Sequence, residues 1–414
     1  MNPLLISTQD KYGAGTSAYR LHKGLQHIGI DSKLLVRDQG MDDLAIYAPA
    51  TEMSKVLSRV RQTLDAFPLR WLKPRNPSFS LQWIPDQIVP EVKRFSPDLI
   101  NLHWICKGYV QIESIARLGK PVVWTLHDMW PFTGGCHYSE ECDRYTQSCG
   151  SCPQLNGPPL LDATRWVWNR KHKAWRSLNL TVVAPSRWLT ECAQSSSLFQ
   201  NVKVKTIPYG LDLQTYKPTD SALARQLLNL PQDKSLILFG ATVLNDSRKG
   251  WHLLSASLER LSQTHLKEEV EFVVFGSYRP SSEVGRGIKT HYLGRLNDDV
   301  TLALAYSAAD LFIAPSIQDN LPNTVTEALA CGTPCVAFRV GGMPDMIEHF
   351  SNGYLATPFE IEDLLQGIKW VLQDQERHQK LRYLARQKAE KNFALERQAD
   401  QYKNLFKEIL NTSS

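Results

Sequence analysis

The sequence predicts an α/β protein of two domains, each a parallel β-sheet with helices on both faces. Three observations predict it. The chain has 414 residues, long for one hydrophobic core, and two domains of roughly 200 are the natural division. Continuous apolar runs of strand length alternate with amphipathic stretches of helix length through both halves, the pattern of strands buried on both faces. Between the halves lies Ile207-Pro208-Tyr209-Gly210-Leu211-Asp212, rich in turn formers and suited to a linker.

Taken in order, residues 3–7 (PLLIS) form a short buried strand. The loop Lys11-Tyr12-Gly13-Ala14-Gly15 follows and opens a helix over 16–28. Further strands are expected at 32–36, 99–103, 122–127 and 180–185. The second half repeats the style at 236–240, 271–275, 311–315 and 334–338, and residues 394–410 read as a last helix.

Composition fits two cores, with 43% hydrophobic residues. There are 47 Lys and Arg against 42 Asp and Glu, a net charge of +5. That excess is too small to argue for nucleic acid, but suits anionic substrates or an anionic membrane surface. The N-terminus MNPLLISTQDKYG lacks a charged region followed by a long apolar run, so no signal peptide is expected. No stretch approaches 18 uncharged apolar residues, so no membrane span is expected. The expectation is a cytoplasmic protein, peripheral at most to the inner face of a membrane.

Residues 318–342, QDNLPNTVTEALACGTPCVAFRVGG, carry the most chemistry. Asp319 and Glu327 stand with seven residues between them. Between them, Asn320-Leu321-Pro322-Asn323-Thr324 reads as a loop entering a helix. Pro322 suits its first turn, and Asn323 or Thr324 could cap it. A helix start offers unpaired N–H groups and positive dipole character, which suits a phosphate. One element can thus hold an anion at its tip and hydroxyls beside two carboxylates, the pattern of a nucleotide-sugar. An ordinary helix with a surface acid at each end is the alternative.

Ser247-Arg248-Lys249-Gly250-Trp251 puts two cations beside a glycine just before a helix. Arg can bind two oxygens as a fork and Lys acts as a mobile point charge. The site reads as a phosphate clamp or as a solvated basic turn. Gly13-Ala14-Gly15 permits close backbone approach to a ligand or simply makes a turn. His127 ends the strand of Thr125-Leu126-His127-Asp128, where a neutral imidazole could hydrogen-bond a sugar hydroxyl or the reacting centre.

Segment 310–342 resembles the signature of the retaining group 1 glycosyltransferases, glycosyltransferase family 4. The usual first acid is Glu, where this chain has Asp319, one methylene shorter. The resemblance implies a GT-B fold, two Rossmann-like domains facing across a cleft. It implies domains over 1–207 and 208–393, with a final helix over about 394–411 packing back on the first. It implies that His127, Asp319, Glu327 and Lys249 serve catalysis. Gly13, Gly15, Arg248, Lys249, Asn320, Leu321, Pro322, Asn323, Thr324 and Glu327 would bind the donor. Asp319 would orient sugar hydroxyls and Glu327 the ribose. The family often ends the strand near Gly240 with Gly-Arg-Leu; this chain has Gly240-Ala241-Thr242, so Arg248 is the substitute. The expected activity is hexose transfer, with retention, from a nucleotide-diphosphate sugar to a glycan or polyprenyl-diphosphate-linked acceptor in bacterial polysaccharide biosynthesis. No cofactor is required for transfer. A GT-B epimerase would expect further cleft acids, and a non-catalytic sugar-nucleotide or glycan-binding protein would more often have lost one of the four site residues.

Four of eight cysteines cluster as Cys136, Cys142, Cys149 and Cys152, within 17 residues. In a cytosolic chain such density suggests a structural zinc, with His137 as an alternative ligand. Unligated thiols, or disulfides in an exported chain, are the other readings. A similar cysteine-rich loop follows the same TLHDMWPFTGGCHY run in some bacterial polysaccharide glycosyltransferases. Cys106, Cys192, Cys331 and Cys335 read as core positions. Two basic and aromatic stretches, 165–176 and 69–75, could rest on anionic lipid or form packed helices with a solvated face.

Overall fold

The computed structural model describes residues 1–49, 52–74, 79–156, 162–240, 246–276 and 287–412. The chain divides into two compact units, Met1–Gly210 with Glu396–Ser414, and Leu211–Leu395. The division falls within the turn-rich 207–212 segment.

The first unit holds a seven-stranded parallel sheet among the described residues. Its strands are β1 (Pro3–Gln9), β2 (Lys33–Asp38), β3 (Ile46–Tyr47), β4 (Leu99–Leu102), β5 (Val122–Thr125), β6 (Leu180–Ala184) and β7 (Lys203–Thr206), in the order β3-β2-β1-β4-β5-β6-β7. Successive side chains point to opposite faces. Leu4 and Ile6 therefore join one core with Trp124, Trp130 and Trp175. Leu5 joins the other, with Val123, Val183 and the C-terminal helix residues Tyr402, Leu405, Phe406 and Ile409.

The second unit holds β8 (Ser235–Gly240), β9 (Val270–Phe275), β10 (Thr290–Gly294), β11 (Leu311–Ala314), β12 (Cys335–Phe338) and β13 (Gly353–Ala356). Their order is β10-β9-β8-β11-β12-β13, again parallel. Both sheets have one place where the strand order reverses direction, between β1 and β4 and between β8 and β11. In open parallel sheets, ligands bind beyond the carboxyl ends of the strands at such a point.

Four strands escape the apolar-run reading: β3, β7, β10 and β13. All four are sheet edges. The β7 sequence Lys203-Val204-Lys205-Thr206 shows why. Its burial is partial throughout, so it carries no continuous apolar run. The predicted strands at 99–103 and 122–127 end earlier, at Leu102 and Thr125. His103 and His127 thus lie just beyond the strand ends. The first helix starts at Ala14 rather than residue 16, after Gly13 at φ +52°. No helix among the described residues is long and apolar enough to cross a membrane.

Candidate active site

In the second unit, the segments leaving β8 and β11 meet at the switch point. The 3₁₀ turn Ser247–Lys249 is capped by Asp246, whose side chain accepts the Arg248 N–H. Ile317 N–H donates to the Arg248 carbonyl at 2.8 Å, joining the two segments. Gly250 lies at φ +69°, and a Cβ there would stand 1.8 Å from the Pro315 carbonyl oxygen. No other residue fits so close to that backbone.

This packing sets both cations on Asp319. Lys249 Nζ donates to Asp319 Oδ2 at 2.6 Å, and Arg248 Nη1 lies 3.5 Å from the same oxygen. Arg248 also reaches the Gln318 carbonyl at 3.2 Å and Asp246 at 3.1 Å. Ser316 Oγ donates to Asp319 Oδ2 and the Asn320 N–H to Oδ1. Burial alone would raise the Asp319 pKa. The charges of Lys249 and Arg248, with these hydrogen bonds, hold it below the ordinary value. Gly341, at φ +52°, lets the chain pass; a Cβ there would meet the Asp319 carbonyl oxygen at 1.9 Å.

The helix Asn323–Ala330 follows, with Val325 to Ala330 buried. Its N-cap is Pro322, and no side chain caps it, so neither Asn323 nor Thr324 takes the capping place suggested by their chemistry. Glu327 is buried one turn in. Its Oε2 accepts the Tyr306 hydroxyl at 2.9 Å. Leu321 and Asn320 are buried beside Asp319, while Pro322, Asn323 and Thr324 are partly exposed. The structure therefore brings Arg248, Lys249, Asp319 and Asn320 into one cluster, with Glu327 on the helix that follows. Of Gly240-Ala241-Thr242, only Gly240 falls within the described residues.

In the first unit, the two glycines do different work. Gly13 is exposed with open space around its Cα. Gly15 is buried, and a Cβ there would meet the Gln9 carbonyl oxygen at 2.7 Å. Gly15 thus permits the helix to pack on the end of β1.

His127 is partly buried, and both its ring nitrogens have protein partners. Tyr209 Oη lies 2.7 Å from Nδ1, and His103 Nδ1 lies 3.0 Å from Nε2. His103 Nε2 lies 3.1 Å from Asn101 Oδ1. Asn101 Nδ2 donates to Val123 O and Thr125 Oγ1, and Thr125 Oγ1 bonds Tyr402 Oη. These bonds fix the tautomers. Asn101 Oδ1 can only accept, so His103 carries its proton on Nε2 and leaves Nδ1 to accept. His127 must then donate from Nε2, and its Nδ1 accepts the Tyr209 hydroxyl. Burial lowers the His127 pKa to about 4, against the charge of Asp128, so the ring is neutral at pH 7. Both nitrogens of the imidazole expected to serve a sugar hydroxyl or the reacting centre are thus engaged by neighbouring side chains in this structure. The sequence signal for His103 was present and unread: Leu102-His103 repeats at the end of β4 what Leu126-His127 shows after β5. Tyr306 and Tyr209 gave no such signal.

Asp128 turns away from this chain. It accepts His137 Nδ1 at 2.6 Å, Trp104 Nε1 at 2.8 Å and the Trp130 N–H at 2.9 Å. Burial would raise its pKa, but the His137 contact holds it low. His137 Nε2 bonds Ser80 Oγ at 3.0 Å. His137 is therefore committed on both nitrogens and withdraws as an alternative metal ligand.

The chain is similar to known proteins over nearly its full length. Residues 12–215 match the family model Glycosyltransferase Family 4, and residues 220–388 match Glycosyl transferases group 1. The chain belongs to the group 1, family 4 glycosyltransferases. It is 25% identical to the sulfoquinovosyl transferase SQD2 of Arabidopsis thaliana over 74% of this chain and 56% of that protein. It is 25% identical to the colanic acid biosynthesis glycosyl transferase WcaC of Escherichia coli, over 66% of this chain and 67% of that protein. The match thus spans little more than half the length of the plant relative. Anabaena HepE, solved with UDP-glucose, covers 100% of both chains at 18% identity and a TM-score of 0.63. That likeness shows the fold, two Rossmann-like domains of the GT-B class.

Proposed function

We propose that this protein is a retaining glycosyltransferase that moves a hexose from a nucleotide-diphosphate sugar to a glycan or lipid-linked acceptor in polysaccharide biosynthesis. The observation that carries the reading is the Lys249–Asp319–Arg248 cluster at the switch point of the second sheet. Two cations are anchored there by a buried carboxylate, next to a helix start. Breaking a sugar–phosphate bond leaves charge on the departing diphosphate. Fixed cations and helix N–H groups stabilise that charge where it develops. Asp319 holds the Lys249 amine and the Arg248 guanidinium in place before the donor arrives, so little reorganisation is left for the reaction. These cations supply the positive charge, and transfer without a metal is part of the proposal. Glu327, fixed by Tyr306, serves the ribose side. His127, held neutral in a set tautomer, is the first unit's part of the proposed chemistry. The colanic acid relative supports the polysaccharide reading, and the UDP-glucose complex of HepE supports the donor class.

A cytoplasmic site of action, at the inner face of a membrane, belongs to the same proposal. The 165–176 stretch supports it poorly. Lys171 is buried on the Thr133 carbonyl, and Arg170 binds Glu113 and the Leu81 and Gln82 carbonyls. Arg165 holds the Cys149 carbonyl. The stretch near 69–75 has more to offer, although Arg75 lies outside the described residues. The helix Glu52–Ala66 exposes Val56, Leu57, Val60 and Leu64 on one side, and Phe67 and Trp71 follow, Trp71 at 70% exposure. Lys55, Arg59, Arg70 and Lys73 are exposed around them, the chemistry of an anionic lipid surface.

A thermal-shift panel of UDP-, GDP- and ADP-sugars tests the donor assignment, with Lys249→Ala alongside. One nucleotide class is expected to raise the melting temperature of the wild type by the binding linkage, and to lose most of that shift in the variant. No shift with any of them, together with no transfer from them, would overturn the reading.

A further inference from the structure

We infer that Cys136, Cys142, Cys149 and Cys152 form a tetrathiolate zinc site that fixes the loop after β5. The inference is independent of the donor site. All four cysteines line one cavity, together with Thr133, Gly134 and Thr164. The chain's other four cysteines lie elsewhere, and none of the eight forms a disulfide. As placed, no three His, Cys, Asp or Glu side chains among the described residues stand as a ready metal site. The thiols surround the space, and ligation would draw their sulfurs into it.

The backbone around the cavity is built for such a centre. Cys149-Gly150-Ser151-Cys152 is a Cys-x2-Cys turn with φ of +49°, +111° and +45° at its first three residues. Two non-glycine residues in the left-handed region cost energy unless surrounding contacts hold them. Here many do. The Gly150 N–H donates to Thr164 Oγ1 and the Ser151 N–H to Asp162. Arg144 binds the Gly150 and Ser151 carbonyls, and Arg165 binds the Cys149 carbonyl. The Gly134 N–H points at Cys149 Sγ, 3.1 Å away, the bond that orients a ligating thiolate. A Cβ on Gly134 would stand 2.9 Å from the Cys149 Cβ and 2.5 Å from the Thr164 carbonyl oxygen, so only glycine lets these segments approach.

Charge points the same way. Zinc held by four thiolates carries a net charge of about −2. Lys171 is fully buried, with its amine 3.7 Å from the centre of the Trp130 ring, and burial lowers its pKa to about 7. Its amine bonds the carbonyls of Trp130 and Thr133, and Thr133 lines the cavity. A thiolate centre in the cavity would favour the charged form of this amine. Binding needs no oxidant: Zn²⁺ replaces four thiol protons, which leave to solvent. His137 stays on Asp128 and Ser80 and takes no part.

The test uses the full-length chain, expressed with zinc in the medium and dialysed against metal-free buffer. Elemental analysis is expected to give about one zinc per chain. A mercurial reagent should release it, and cobalt exchange should give the visible bands of a tetrahedral thiolate complex. Cys149→Ser with Cys152→Ser should lose the metal, while Cys192→Ser, outside the cavity, should keep it. If the double variant fails to fold, the wild-type zinc content and the cobalt spectrum decide. A folded wild type without metal, with the four thiols freely reactive to a disulfide reagent, would overturn the inference. So would unchanged metal content in a folded double variant.

Discussion

Burial lowers the pKa of His22 to about 4, because the fold gives its ring no room to carry charge. Its Nδ1 bonds Ser32 Oγ at 2.9 Å, while Nε2 has no hydrogen-bond partner among the described residues. His127 is lowered to about 4 as well, and fully buried His103 falls well below the ordinary value, each mainly through burial. The sign of the linkage follows. The unfolded chain protonates these rings near pH 6.5; in the folded chain His22 and His127 hold off to about pH 4, and His103 is shifted the same way. Their stabilisation is complete above pH 6.5 and is lost as pH falls toward 4. For His22 alone the loss is about 3 kcal/mol. Urea unfolding at pH 7, 5.5 and 4.5 should show a steep fall for the first unit, with a shallower one in His22→Gln. A flat profile across that range would refute the assignment of neutral rings. At the same scale, Asp319 was legible as a candidate site carboxylate, but its bond to Lys249 was not. Only the meeting of segments some 70 residues apart creates it.

The helix Glu52–Ala66 illustrates what an element says by its period. Val56, Leu57, Val60 and Leu64 fall within a narrow arc at 100° per residue, yet all four are about half exposed. An apolar stripe that does not pack in its own fold marks an interaction surface. Flotation with anionic vesicles at low salt should carry the wild-type protein upward, and Val60→Glu with Leu64→Glu should leave it at the bottom. Absence of wild-type binding would remove the membrane from the proposed function. By contrast, the basic 165–176 stretch looks similar on paper but is largely spent on internal contacts. Composition could not separate the two, because exposure depends on what packs against a helix.

Across the whole molecule, the C-terminal segment Glu396–Ser414 belongs with the first unit, though nearly two hundred residues intervene. Tyr402, Leu405, Phe406 and Ile409 are buried in its core, and Tyr402 ends the hydrogen-bonded chain that starts at Tyr209. Phe406→Ala should lower the stability of the first unit by about 3–4 kcal/mol. Urea unfolding followed by tryptophan fluorescence reads this directly, since Trp124, Trp130 and Trp175 lie in that unit's core. A change below about 1 kcal/mol would show that the helix is not part of that core.

By itself, the sequence determined the α/β class, nine of the thirteen strands among the described residues, the turn-rich segment at the division and the family signature, and it named the residues proposed to hold the donor. It could do so because strand runs, glycine turns and spaced acids are local patterns, set by burial on both faces of a sheet and by backbone conformation. Tertiary structure decided the four edge strands: β7 and β10 are solvated along their length, and β3 and β13 are too short to stand out as apolar runs. It decided the strand order that puts Lys249 and Asp319 at one switch point, and the tautomer of His127, fixed through His103 and Asn101. It also decided that four cysteines share one cavity while His137 turns to Asp128. The strand order, the Lys249–Asp319 pair and the His127 tautomer rest on contacts between segments distant in sequence, and the cysteine cavity on how one loop folds; no local pattern encodes which partner a side chain meets.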